Sequence, residues 1–200
     1  MRFEVSSPID VCPERRLRLL LCDGTGAVSG PWPEAEEWVS SPIRCLDSAV
    51  DCLPGIIAVR FGEMPAPQRE ALLELITALK RNSHTRERPL LALLHSKHRR
   101  LIEDLARSKV DFIRCVGDIV LDSTHLGEII EKLGPEDRPG RHLEMVCSFL
   151  HYIQYEPQQE MTVCGAYLDR LVLGGQRLQE WCETEAHLHC EHYLNPRCKS

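Results

Sequence analysis

The stretch PGIIAVRFGEMPAPQREALLELITALKRNSHTRERPLLALLHSKHRRLIEDLARSKVDFIRCV, residues 54–116, decides the fold. It sets three short apolar runs rich in branched residues (55–62, 88–96 and 111–118) against two longer amphipathic segments. In the first segment Leu72, Leu73, Leu75, Ile76 and Leu79 fall at helical spacing behind Pro65 and Pro67. In the second, 97–109, Leu101, Ile102 and Leu105 make the apolar face, and the basic run Lys97 to Arg100 reads as its solvated side. Strand and helix in alternation are the pattern of βα units on a parallel sheet.

Outward from this stretch the alternation continues. Further strands are expected at 15–23 and 42–48, weaker helices in PWPEAEEWVSS and SAVDCLPG, and a last helix at 124–133 through Leu126, Ile129, Ile130 and Leu133. Five βα units in about 120 residues match the size of a flavodoxin-like, doubly wound domain with a five-stranded parallel sheet. The glycines of CDGTGAVSG match neither standard phosphate-binding fingerprint and read as a flexible βα loop.

The segment from the third strand through Met64-Pro65 to the fifth strand resembles a response-regulator receiver, and the resemblance covers roughly 15–135. Receivers phosphorylate an Asp at the end of the third strand, with carboxylates of the first strand holding a divalent metal and a Lys on the fifth. This chain keeps Asp23, but has Arg60 and Phe61 at the end of the third strand and Cys115 at the Lys position. Without those parts the resemblance implies a degenerate receiver that is not phosphorylated. It also implies an interaction domain for protein partners, and a homodimer through the last helices.

EDRPGR (136–141) combines charge, Pro and Gly and marks the expected boundary between this domain (15–135, after a tail at 1–14) and a small α-rich C-terminal module at 141–200. The composition changes there. Five cysteines lie in the first 140 residues and five in the last 60, where histidines also become frequent. Cys22, Cys45, Cys52 and Cys115 sit in apolar runs, where a thiol behaves as a small hydrophobe. Cys147, Cys164, Cys182 and Cys190 fall on separate segments and form the candidate metal site. Four thiols are what a [4Fe-4S] cluster or a tetrahedral zinc requires.

There is no C-x-x-C pair among them, the short pair that compact zinc knuckles and ferredoxin runs both use, so neither motif is indicated. Single cysteines on separate elements favour the iron-sulfur cluster, and Gly165 after Cys164 is expected to admit backbone amides to the cluster sulfides. Zinc is the alternative, with Cys198, His187, His189 or His192 as replacement ligands. The run 166–181 is expected as strand, turn and helix.

Composition narrows the function further. A net charge of -6 and a pI near 5.9 argue against a nucleic-acid partner. No apolar run reaches signal-peptide or membrane-span length, so a cytoplasmic location is expected, where cysteines bind metal more often than they form disulfides. No nucleophile beside a base and no paired carboxylates stand out, so a non-enzymatic role is expected. The readings are a redox- or metal-responsive signalling protein, an accessory protein with structural zinc, and an electron-transfer subunit.

Overall fold

The computed structural model describes residues 18–156 and 159–197. Five strands form a parallel sheet: β1 (Leu19–Cys22), β2 (Glu36–Val39), β3 (Ile56–Phe61), β4 (Leu90–Leu94) and β5 (Phe112–Cys115), in the order β2-β1-β3-β4-β5. This is the α/β architecture expected, with the strand order of flavodoxin-like folds. Every residue of β1, β3 and β4 is buried, as expected of central strands covered on both faces.

One face of the sheet packs α1 (Pro42–Cys52), α2 (Ala66–Arg81) and α3 (Arg99–Arg107), through Cys45 and Ala49, Leu72 to Leu79, and Leu101 to Leu105. The other face packs α4 (Ser123–Glu131) through Leu126, with Val28 and Trp32 of the β1–β2 connection beside it.

The second strand lies elsewhere than the sequence suggested. Residues 42–48, expected as a strand, are the start of α1, and PWPEAEEWVSS, expected as a weak helix, contains β2. The physical reason is local. Ser41 caps the helix by accepting the amide of Arg44 at 3.3 Å, and Pro42 occupies the first turn, where its missing N–H costs nothing. Glu36 then enters a buried strand position, where its carboxylate pairs with Arg18 and accepts Ser123 Oγ at 2.6 Å.

Beyond a 3-10 turn at Pro135–Asp137, α5 (Pro139–Met145) packs against α3 and β5. The segment 136–141 is pinned there. Asp137 is buried and accepts Arg114 Nη2 at 3.1 Å and the amide of Gly134 at 2.9 Å, while His142 Nε2 donates to the Ile113 carbonyl at 2.8 Å.

The C-terminal part was expected to be α-rich, but its largest elements are β6 (Leu150–Glu156) and β7 (Gln159–Cys164), an antiparallel pair. The helices are short: α6 (Gly175–Arg177) running into a π-helical turn (Leu178–Cys182), a 3-10 turn (Glu185–His189) and α7 (Glu191–Leu194). The strand expected after Ala166 is reduced to two isolated bridges, Tyr167 to Arg197 and Val172 to Val163. Aromatic and branched residues in LHYIQYE suit a pleated surface better than a helix. The core of this part (Val146, Cys147, Leu150, Cys164, Ala166, Leu173, Cys182) is continuous with the helical face of the sheet.

Candidate metal centre

Cys147, Cys164, Cys182 and Cys190 come from four different segments: the turn after α5, the end of β7, the end of the π-helical turn, and the residue before α7. All four line one small, largely enclosed cavity of about 20 Å³, closed by contrast with the groove beside it, together with Phe149, Leu150, Leu173, Trp181, His187 and Tyr193 among others. Cys164, Cys182 and Cys190 also line an adjoining open groove of about 660 Å³ with Arg177, Trp181 and His192, whereas Cys147 faces only the closed side. Among the described residues, no group of three or more His, Cys, Asp or Glu side chains is drawn close enough to hold a metal ion as the side chains stand. Closing the thiols around one zinc would bring the sulfurs to about 3.8 Å from one another, the edge of a tetrahedron with 2.3 Å bonds.

The main chain fixes the positions of these cysteines. The Cys147 amide donates to the Cys182 carbonyl at 2.8 Å, the Cys164 amide to the Leu171 carbonyl at 2.9 Å, and the Cys190 amide to the His187 carbonyl at 3.0 Å. After Cys164 the chain folds back on itself, with the amides of Tyr167 and Asp169 both donating to the Cys164 carbonyl at 3.1 Å. That turn uses two successive left-handed residues, Leu168 (φ 59°) and Asp169 (φ 60°). For Leu168 this conformation costs about 1–2 kcal/mol, strain of the kind that surrounding contacts hold at functional sites.

The electrostatics of the thiols run in opposing directions. Burial pushes the Cys147, Cys164 and Cys182 thiols up, Cys182 to about 12, where the neighbouring Cys147, Cys164 and Cys190 add their repulsion. Against this, the amide of Phe149 favours the Cys147 thiolate, and those of Tyr167 and Ala166 favour the Cys164 thiolate. The guanidinium of Arg99 acts the same way on Cys147, and that of Arg177 on Cys164 and Cys182. A bound cation would offset the repulsion among thiolates, which the amides stabilise as well.

The four cysteines picked out by their spread over separate segments thus all line one cavity, though their side chains do not stand close enough to hold an ion. Of the alternative ligands, His187 lines the closed cavity, His192 lines both spaces and His189 only the groove. The His187 ring is buried and its Nδ1 donates to the Thr184 carbonyl at 2.6 Å, so the neutral ring keeps its lone pair on Nε2. Cys198, like Cys12 and the tail at 1–14, lies outside the described residues.

Gly165 has a different reason from the one expected. A Cβ there would lie 2.5 Å from Cε1 of His151, so the glycine makes room for that imidazole, whose Nδ1 is 2.8 Å from Asp169 Oδ1. The amides that favour the Cys164 thiolate belong to the next two residues. The basic run 97–100 is likewise more than a solvated face. Lys97 Nζ donates to the Glu183 carbonyl at 2.9 Å, and Arg99 Nη1 to the carbonyls of Leu143 (3.2 Å) and Val146 (2.5 Å). A sequence signal for these contacts is lacking, because exposed and tethered cations look alike in a helix pattern.

At the carboxyl edge of the sheet, Arg60 is buried and its guanidinium fills the space between loops. Nη1 lies 3.2 Å from Asp23 Oδ2 and 3.0 Å from the Ala27 carbonyl, and Nη2 lies 2.7 Å from the Ile119 carbonyl. Asp23 also accepts the amide and hydroxyl of Thr25 at 2.7 and 2.6 Å. No protein-family model matches the chain, and no curated protein matches it. Among the described residues no helix is long and apolar enough to cross a membrane.

Proposed function

We propose that this protein is a non-enzymatic, redox- or metal-responsive regulatory protein in which Cys147, Cys164, Cys182 and Cys190 hold an iron-sulfur cluster beside a receiver-like interaction domain. The observation that carries the reading is that four thiols from four segments line one cavity, where backbone amides and two guanidinium groups oppose the burial that pushes the Cys147, Cys164 and Cys182 thiols up. Hydrogen bonds to cysteine sulfur and partial solvent access are the levers by which a protein sets a cluster's potential. The open groove on Cys164, Cys182 and Cys190 supplies both the access and the room for a polynuclear cluster.

The parallel domain supplies the partner-binding part of this reading. In a receiver, the carboxyl edge of the sheet holds a divalent metal and takes a phosphoryl group. Here Arg60 extends from β3 to Asp23, so a cation of the chain itself occupies the neighbourhood of that carboxylate. An input other than phosphorylation is then needed, and the cysteine site is the one proposed, acting on a protein partner in the cytoplasm.

A second reading, a structural zinc in an accessory protein, is favoured by the size of the closed cavity, about 20 Å³, which has room for one ion. The small C-terminal core would gain a staple from it. Anaerobic purification with analysis of iron, sulfide and zinc separates the two. Iron and sulfide support the cluster, zinc supports the structural site, and a protein that takes up neither contradicts both.

A further inference from the structure

Two positions of the cysteine site are tied to one loop of the parallel domain. Arg99 Nη1 donates to the carbonyl of Val146, the residue before Cys147; the Cys147 amide donates to the Cys182 carbonyl at 2.8 Å; and Lys97 Nζ donates to the carbonyl of Glu183, the residue after Cys182, at 2.9 Å. Lys97, in the turn between β4 and α3, and Arg99, the first residue of α3, stand two positions apart, so these contacts close a ring through both cysteines. The turn has further anchors on the hairpin. The Arg99 amide donates to Tyr152 Oη at 2.8 Å, and the His98 ring stacks on Tyr152 with centroids 3.7 Å apart. A crevice of about 300 Å³ opens at the carboxyl ends of β3 and β4, lined by Gly62, Arg69, His98, Tyr152 and Glu160 among others. Open α/β sheets take their ligands at this edge.

We propose that the turn between β4 and α3 transmits the state of the cysteine site to the parallel domain, with Lys97 and Arg99 as its positioning residues. The inference rests on the reading of the four cysteines as a cofactor site. Their charges serve it in two ways. Both residues hold carbonyls that would otherwise be free to turn away, and Arg99 also puts positive charge beside Cys147. Because the coupling is a free energy shared by both ends, whatever loosens the turn also changes the site.

The test is amide hydrogen exchange on the full chain, kept anaerobic, loaded with iron and sulfide and then stripped with a chelator, for wild type, Lys97→Met and Lys97→Arg. In wild type, stripping is expected to speed exchange in 95–101 about tenfold, the factor that losing one charge-assisted hydrogen bond corresponds to, while α4 stays unchanged. Lys97→Met should keep its iron and show fast exchange in 95–101 before stripping; Lys97→Arg should restore the wild-type pattern. Exchange changes confined to 142–194 in a protein that holds iron and sulfide would overturn the transmission and leave the cofactor reading intact. A wild-type protein that takes up no iron would overturn the reading beneath it, and the transmission with it.

Discussion

The amide of Cys147 donates to the carbonyl of Cys182 at 2.8 Å, joining the turn after α5 to the end of the π-helical turn. This bond is made by main-chain atoms, so it holds two cysteines in register whatever their sulfurs do. Replacing either sulfur leaves this bond available to the main chain.

Replacement of any one of Cys147, Cys164, Cys182 or Cys190 by Ala is expected to abolish or sharply reduce bound metal, with the α/β circular-dichroism signature retained. Cys22→Ala, on β1 and fully buried against α1, should leave the metal content unchanged and lower stability by about 1–2 kcal/mol, the scale for a small cavity. Metal analysis and urea midpoints on the same preparations check both halves.

Arg60→Met is expected to cost about 3–5 kcal/mol, because it removes one partner of a buried ion pair and leaves the Asp23 carboxylate enclosed. A urea midpoint indistinguishable from wild type would contradict this. Arg60→Met with Asp23→Leu should recover part of the loss, since no buried charge then remains.

Stability should fall as pH drops below neutrality. Burial lowers the affinity of His98 and His142 for protons, with Arg69 adding to the effect at His98, and Glu160 and Asp137 opposing it at the two rings. Above about pH 6.5 the rings are neutral in both folded and unfolded chains and contribute no slope. Below it the unfolded chain takes up protons that the folded one resists, so unfolding gains ground until the lowered folded pKa is passed. Urea midpoints at pH 7.5 and 5.5 measure the slope, and His142→Gln should reduce it. Glu160 acts lower down: its pairing with Arg69 holds its carboxyl below the usual carboxylate range, so its stabilisation is lost in acid, as pH falls through that lowered value.

Gly165→Ala should displace the His151 ring, which a Cβ would meet at 2.5 Å, at a cost of about 1 kcal/mol, since the ring is half exposed and can swing away from Asp169. The double variant with His151→Ala should recover that loss. If Gly165→Ala instead abolishes metal binding in the presence of His151→Ala, the glycine serves the cysteine site after all.

How much of this was readable in the chain depends on whether the signal was local. β3, β4, β5, α2, α3 and α4 follow from apolar runs and helical spacing, which the parallel sheet rewards with burial on both faces. β2 was misplaced because Glu36 and Glu37 break its apolar pattern, although Ser41-Pro42 was a readable helix start. That Cys147, Cys164, Cys182 and Cys190 line one cavity follows the rise in cysteine density after 140, which composition and spread make visible. The roles of Lys97, Arg99 and Gly165 were not, since each depends on a neighbour more than forty residues away in sequence or on a ring packed across the hairpin.

The most direct test of the central claim is anaerobic purification, or reconstitution with iron and sulfide, followed by a visible absorption spectrum and metal analysis of wild type beside Cys164→Ala with Cys190→Ala. A brown wild-type protein with iron and acid-labile sulfide in equal amounts, and a colourless double variant of unchanged fold, is the predicted result. A wild type that stays colourless and free of iron after reconstitution would contradict the iron-sulfur assignment, and zinc in its place would make the site structural.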